Sequence, residues 1–154
     1  MISGNGISVD DLVQPFQIED LGIRGRVVRL GPLVDRVLTA HAYPEPVSRL
    51  LGEALALTAM IGSALKFDGR FILQTQSSGP VNMLVADYEA PGQIRGYAMM
   101  NPDRVPHALG DGPTAPSALL AHAPLAPTLT HRPATCPLPG TTSLHPPAAP
   151  HTAY

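Results

Sequence analysis

The sequence has no tryptophan, one cysteine (Cys136), one lysine (Lys66) and no apolar run long enough to cross a bilayer. A single thiol excludes an intramolecular disulfide framework and any zinc site built from several thiolates. Charged residues are scarce at 14%, against about a quarter in an average domain. With Lys+Arg at 10 and Asp+Glu at 12, the formal net charge is −2. No cation surplus is available to neutralise phosphates, so a nucleic-acid partner is not expected. The longest strongly apolar stretch, Ala54–Leu65, is too short for a membrane helix. Met1–Asp10 has neither a basic end nor an apolar core, so no signal peptide is read there. These absences make a cytoplasmic protein without membrane contact the expectation.

Proline is abundant instead, and it is unevenly placed. The 154 residues contain 18 prolines, of which ten fall in residues 113–154 with nine alanines, seven threonines and four of the six histidines. All 12 acidic residues precede Pro113, and the stretch after it carries one charge, Arg132. Such a segment has little to bury against its ordering entropy, and its prolines interrupt both helix and strand. The expectation is a domain over residues 8–112 followed by a disordered tail over 113–154.

Within 8–112 the periodicities are distinct. Leu12–Glu19 and Ile23–Leu30 read as extended segments, with Arg24 and Arg26 alternating against Ile23, Gly25 and Val27. Pro32 suits a first helical turn, and Leu33, Val34, Val37 and Leu38 follow at helical spacing until Tyr43-Pro44-Glu45-Pro46. A longer helix is expected from Glu45 or Pro46 to Phe67, apolar at Val47, Leu50, Leu51, Leu55, Ile61 and Leu65, with small residues Gly52, Ala56, Ala59, Gly62 and Ala64 behind them. That all-round apolarity predicts a buried helix. Arg70–Gln76, Val81–Tyr88 and Gln93–Met100 then form an antiparallel meander, with Pro91-Gly92 at the centre of a type II turn. The sum is an α+β domain whose mostly antiparallel sheet is packed with helices on one face.

These residues carry a resemblance. Asp11-Leu12-Val13-Gln14-Pro15-Phe16, Arg24-Gly25-Arg26-Val27-Val28-Arg29-Leu30, Leu65-Lys66-Phe67-Asp68-Gly69-Arg70, Ser78-Gly79-Pro80-Val81-Asn82-Met83 and Ile94-Arg95-Gly96-Tyr97-Ala98 resemble, in order, the N-terminal domain of the 33 kDa chaperonins. The resemblance implies an ATP-independent, redox-regulated holdase that captures unfolding proteins under heat or oxidative stress. It also implies a zinc switch on four cysteines (CxC and CxxC), and members that dimerise when activated. The four cysteines are absent here, so no cofactor is expected in this chain. After a helix near Val105–Leu120 the resemblance implies further strands, where this chain turns to prolines. One Lys against nine Arg points to a GC-rich gene, in which out-of-frame reading yields Pro, Ala, Thr and His; a truncated or frame-disrupted product is the expectation.

No catalytic constellation is evident. Cys136 has only Arg132 near it as a cation, and it matches no family ligand. His122, His131, His145 and His151 lack a helical spacing and a carboxylate among them. Asp10-Asp11 and Glu19-Asp20 read as solvated charges, and His41 as a cap on the first helix. The function expected is therefore binding: unfolded or partly unfolded client proteins held on the apolar side chains Phe71, Leu73, Val81, Met83, Leu84, Val85, Met99 and Met100. An inert truncated product and a small enzyme are the alternatives.

Overall fold

Leu12–Ile18 (β1) and Ile23–Arg29 (β2) pair antiparallel, from Leu12↔Arg29 to Ile18↔Ile23. A 3-10 turn over Glu19–Leu21 joins them, and Gly22 closes it at φ 62°, a left-handed conformation that glycine adopts without a side-chain clash. In this computed structural model the described residues are 10–109 and 115–131. The boundary expected at Gly112, Cys136, His145 and His151 lie outside them.

The first helix, α1, spans Pro32–Thr39 with Pro at its start, as the spacing predicts. Its N-cap Gly31 offers no side chain, and the cap comes from far away in sequence. The Asp11 carboxylate accepts hydrogen bonds from the Gly31 and Leu33 N–H groups at 3.0 and 3.1 Å. A carboxylate there satisfies orphan donors and complements the positive end of the helix. The neighbouring Asp10 pairs with Arg29 at 3.0 Å, so the start of β1 is tied to the end of β2 as well.

The long helix α2 runs Glu45–Gly62 and buries one stripe: Val47, Leu50, Leu51, Leu55, Thr58, Ala59 and Gly62. Two expectations are corrected here. Its other side is not buried, since Arg49 and Glu53 face solvent and Leu57 and Met60 are exposed. It also stops at Gly62 rather than Phe67. The chain tightens through Ala64 N–H to Ile61 O and Leu65 N–H to Gly62 O, which lets it turn into the sheet.

The sheet order is β5-β4-β3-β6, with β3 at Gly69–Gln76, β4 at Val81–Glu89, β5 at Gln93–Met100 and β6 at Leu125–His131, all antiparallel. The meander is as expected, but the β4–β5 turn is not type II. Glu89 O accepts from Gly92 N–H at 2.9 Å, the Ala90–Pro91 peptide is cis, and the glycines with positive φ are Gly22 and Gly69. Proline thus occupies the third position of the turn.

Short helices α3 (Arg104–Leu109) and α4 (Pro116–Leu120) follow the meander, and β6 completes the sheet. Disorder from Pro113 onward is therefore corrected for residues 115–131. Pro116 opens a helix, where its missing N–H is harmless. Pro127 lies on an edge strand, where only alternate N–H groups must reach a neighbour.

The core lies between α2 and the sheet. It gathers Val47, Leu50, Leu51 and Leu55 with Phe71, Leu73, Leu84, Ala86 and Ala98, and is closed by Val81, Val105 and Leu119. The helix approaches closely at two glycines. Leu55 Cδ2 lies 2.8 Å from where a Gly96 side chain would begin, and the Tyr88 ring fills the corresponding place at Gly62. Of the small-residue stripe, Ala59 and Gly62 are buried, while Gly52, Ala56 and Ala64 stay partly exposed.

Candidate functional site

The pleat divides the eight candidate residues. Phe71, Leu73 and Leu84 point toward α2, and with Val81 they are buried in the core. Met100 is half-buried and packs against that core. Only Met83, Val85 and Met99 reach the opposite face. The register places Met83 beside Met99 and Val85 beside Tyr97. Met99 and Tyr97 are each 42% exposed. Ile72 and Gln74 continue this face onto β3 through the pairs Ile72↔Asp87 and Gln74↔Val85. Tyr97 and Ile72 were missed from sequence: alternation from Met99 marks Tyr97 as a same-face neighbour, whereas Ile72 joins that face only through the pairing of β3 with β4.

The other end of this face is charged. Arg70 of β3 reaches Glu89 at 3.0 Å and Asp87 at 3.6 Å, and Arg95 of β5 reaches both carboxylates at 3.2 Å. Two forces act on Asp87 in opposite senses. Both guanidinium groups favour its ionised form, yet burial raises its pKa above the ordinary 3.8. Burial prevails because the Asp87 side chain is 13% exposed, while the Arg70 and Arg95 side chains keep 41% and 58% of their surface in water, which screens their charge. One carboxylate oxygen, Oδ1, has no hydrogen-bond partner. The sign follows from linkage: the folded chain holds this proton more tightly than the unfolded chain. Its contribution to stability is therefore full at low pH and lost as pH rises from 3.8 through the raised value. Asp87→Asn is expected to be at least as stable as the parent at neutral pH and to flatten that decline. Melting curves across the acid range check it; a marked loss at neutral pH refutes it.

Among the described residues two further apolar surfaces are exposed. On β6, Leu125 and Leu129 are 55% and 45% exposed beside Thr75 and Phe71, beyond the reach of α2. On the hairpin, Phe16, Ile18, Ile23 and Val27 share one face and are 44–57% exposed. His41 does not act as the expected helix cap; its ring packs 5.3 and 5.5 Å from those of Tyr43 and Tyr97. Tyr43 in turn accepts a hydrogen bond from the Ala98 N–H at 3.0 Å, fixing the α1–α2 loop on the edge of β5. Among the described residues no group of three or more His, Cys, Asp or Glu side chains is arranged to hold a metal. No helix among them is long and apolar enough to cross a membrane.

Comparison with known proteins agrees with this geometry. The sequence model of the family described as Hsp33 protein matches residues 11–144, running through the composition break near Gly112. A 33 kDa chaperonin of Caulobacter vibrioides is 54% identical over 110 residues, covering 71% of this chain and 36% of that protein. One of Pseudomonas fluorescens is 38% identical over 111 residues, covering 72% and 37%. The chain thus spans about a third of the length of these relatives. The crystal structure of a 33 kDa chaperonin from Thermotoga maritima superposes with a TM-score of 0.60 at 21% identity, covering 75% of this chain and 43% of that one, and shares its fold.

Proposed function

The chain belongs to the Hsp33 family, and on that premise we propose that it is an ATP-independent holdase that masks the apolar segments of unfolding proteins. The observation that carries this reading is the sheet face opposite α2, which no described element covers. Met83, Val85, Tyr97 and Met99 form a contiguous apolar area there, bordered by the Arg70–Asp87–Glu89–Arg95 cluster. An apolar patch gains free energy whenever it removes another apolar surface from water. Methionine adds tolerance, because its flexible and polarizable stem fits partners of many shapes. The mechanism is stoichiometric: a bound client segment is withheld from other clients, and no covalent step is involved.

The zinc implied by the family resemblance does not fit this chain. Four thiolates are required and the sequence has one cysteine, so no step is assigned to zinc. Protection by this chain is accordingly independent of peroxide and of zinc chelation. Light scattering of a heat-denaturing client, with and without oxidant, checks this; strong dependence on oxidant sinks the ungated mechanism.

A second test reads the surface itself. Tyr97→Ser with Met99→Glu changes two exposed side chains and leaves the core untouched. The double variant should melt normally and lose at least about half of its protection, since a buried aromatic or Met side chain contributes roughly 1.5–3 kcal/mol. Undiminished protection places the client elsewhere.

A further inference from the structure

The β1–β2 hairpin brings three features together. Its apolar side carries Phe16, Ile18, Ile23 and Val27 uncovered, and the Phe16 ring lies flat on Gly25. Its other side carries Arg24 and Arg26, opposite Gln17 and Pro15. Neither arginine has a carboxylate within ion-pair distance among the described residues, whereas Arg29 is paired with Asp10. The only acids of the hairpin, Glu19 and Asp20, are in the connecting turn.

Pro15 decides which edge is open. Proline within a ladder sits where its missing N–H would point away from the partner strand. The outer edge of β1 therefore lacks a donor at its middle and is poorly suited to take another strand. The opposed residue Arg26 then also points its main-chain N–H and C=O away from β1, and by alternation so do Arg24 and Val28. Among the described residues the two-stranded sheet ends at β2, α2 packs alongside that strand, and no backbone hydrogen bond beyond the ladder with β1 engages residues 23–29. An open edge with regular donors and acceptors is a template for strand addition.

We propose that the outer edge of β2 binds an extended peptide in which apolar and acidic residues alternate. Main-chain bonds form to Arg24, Arg26 and Val28. The apolar side chains of the peptide extend the Phe16–Ile18–Ile23–Val27 face, and its carboxylates meet Arg24 and Arg26 on the other side. This deepens the holdase reading, on which it rests, by naming the class of client segment selected.

The test uses the full chain and two fluorescein-labelled, end-blocked eleven-residue peptides of the same composition. One alternates Val and Glu; the other carries them in separate blocks. Anisotropy titration should show the alternating peptide bound at least about tenfold more tightly, with binding weakened by salt. Arg24→Glu with Arg26→Glu should lower its affinity at least about tenfold, the circular dichroism spectrum reporting that the fold is kept. A peptide N-methylated at alternate residues, which blocks edge bonding without altering the protein, should bind in only one of its two phases. Equal binding of both sequences, indifference to charge reversal, or indifference to N-methylation in both phases overturns the proposal. Association of the chain with itself through this edge, seen by sedimentation without peptide binding, overturns it as well. If client protection persists while peptide binding fails, the holdase reading stands and this site falls; if both fail, the holdase reading falls too.

Discussion

Leu55→Ala should lower the unfolding free energy by about 2–5 kcal/mol, the usual range for emptying a fully buried leucine site. Leu55 has no solvent exposure and lies in the middle of the α2 stripe. Its Cδ2 rests over Gly96 of β5, where no side chain intervenes between helix and sheet. The surroundings are held by β-strand pairing on both sides of β4, so collapse into the cavity is limited. For a chain of this size each kcal/mol corresponds to roughly 2–4 °C in Tm. The same contact supplies a partner experiment. Gly96→Ala alone should cost about 1–3 kcal/mol, because its new methyl group enters the Leu55 position. In the Leu55→Ala background that methyl group has room, so the double variant should lose less than the sum of the two single losses. Denaturant titration of the four proteins measures the coupling; strict additivity means the helix does not sit on Gly96.

Gly79→Val should loosen residues 115–131. A side chain at Gly79 would begin against the Leu119 carbonyl oxygen, with the Leu120 carbonyl carbon 2.9 Å away. These are backbone atoms, so no rotamer change relieves the clash and α4 must move. Leu119, 2% exposed, would then leave its place beside Val105. The expected loss is about 1–3 kcal/mol. It should be accompanied by faster amide exchange in Thr128 and Thr130, because β6 follows directly on α4 and has no buried side chain of its own to hold it. Unchanged exchange there would mean that β6 is anchored by its ladder with β3 alone.

The opposed outcomes for these two regions show what kind of information each contains. Residues 12–100 were legible because local signals agree with one another. Apolar residues recur at three and four through α2 and at two through β3, and Pro32 and Pro44-Glu45-Pro46 punctuate the helices. Residues 115–131 are not legible from composition, because proline does not break helix or strand at every position. Its effect depends on whether a given N–H has a neighbour to reach, which is a property of the sheet edge and not of the residue. The candidate surface failed in a related way. Periodicity of two separates Leu84 from Val85 and Leu73 from Ile72, but it does not say which set meets the helix. Five of the eight chosen side chains went to the core or packed against it.

Taken alone, the sequence determined the α+β class, the antiparallel meander and the family resemblance, because each follows from residue type and spacing. The tertiary structure alone decided which sheet face α2 covers. It alone joined Asp11 to the N-terminus of α1, set Arg70 and Arg95 around Asp87, and gave β3 its neighbour in β6. Those contacts link residues distant in the chain, and their free energies depend on burial and on the distance between groups. Neither quantity exists until the strands are paired and the helix is laid across them.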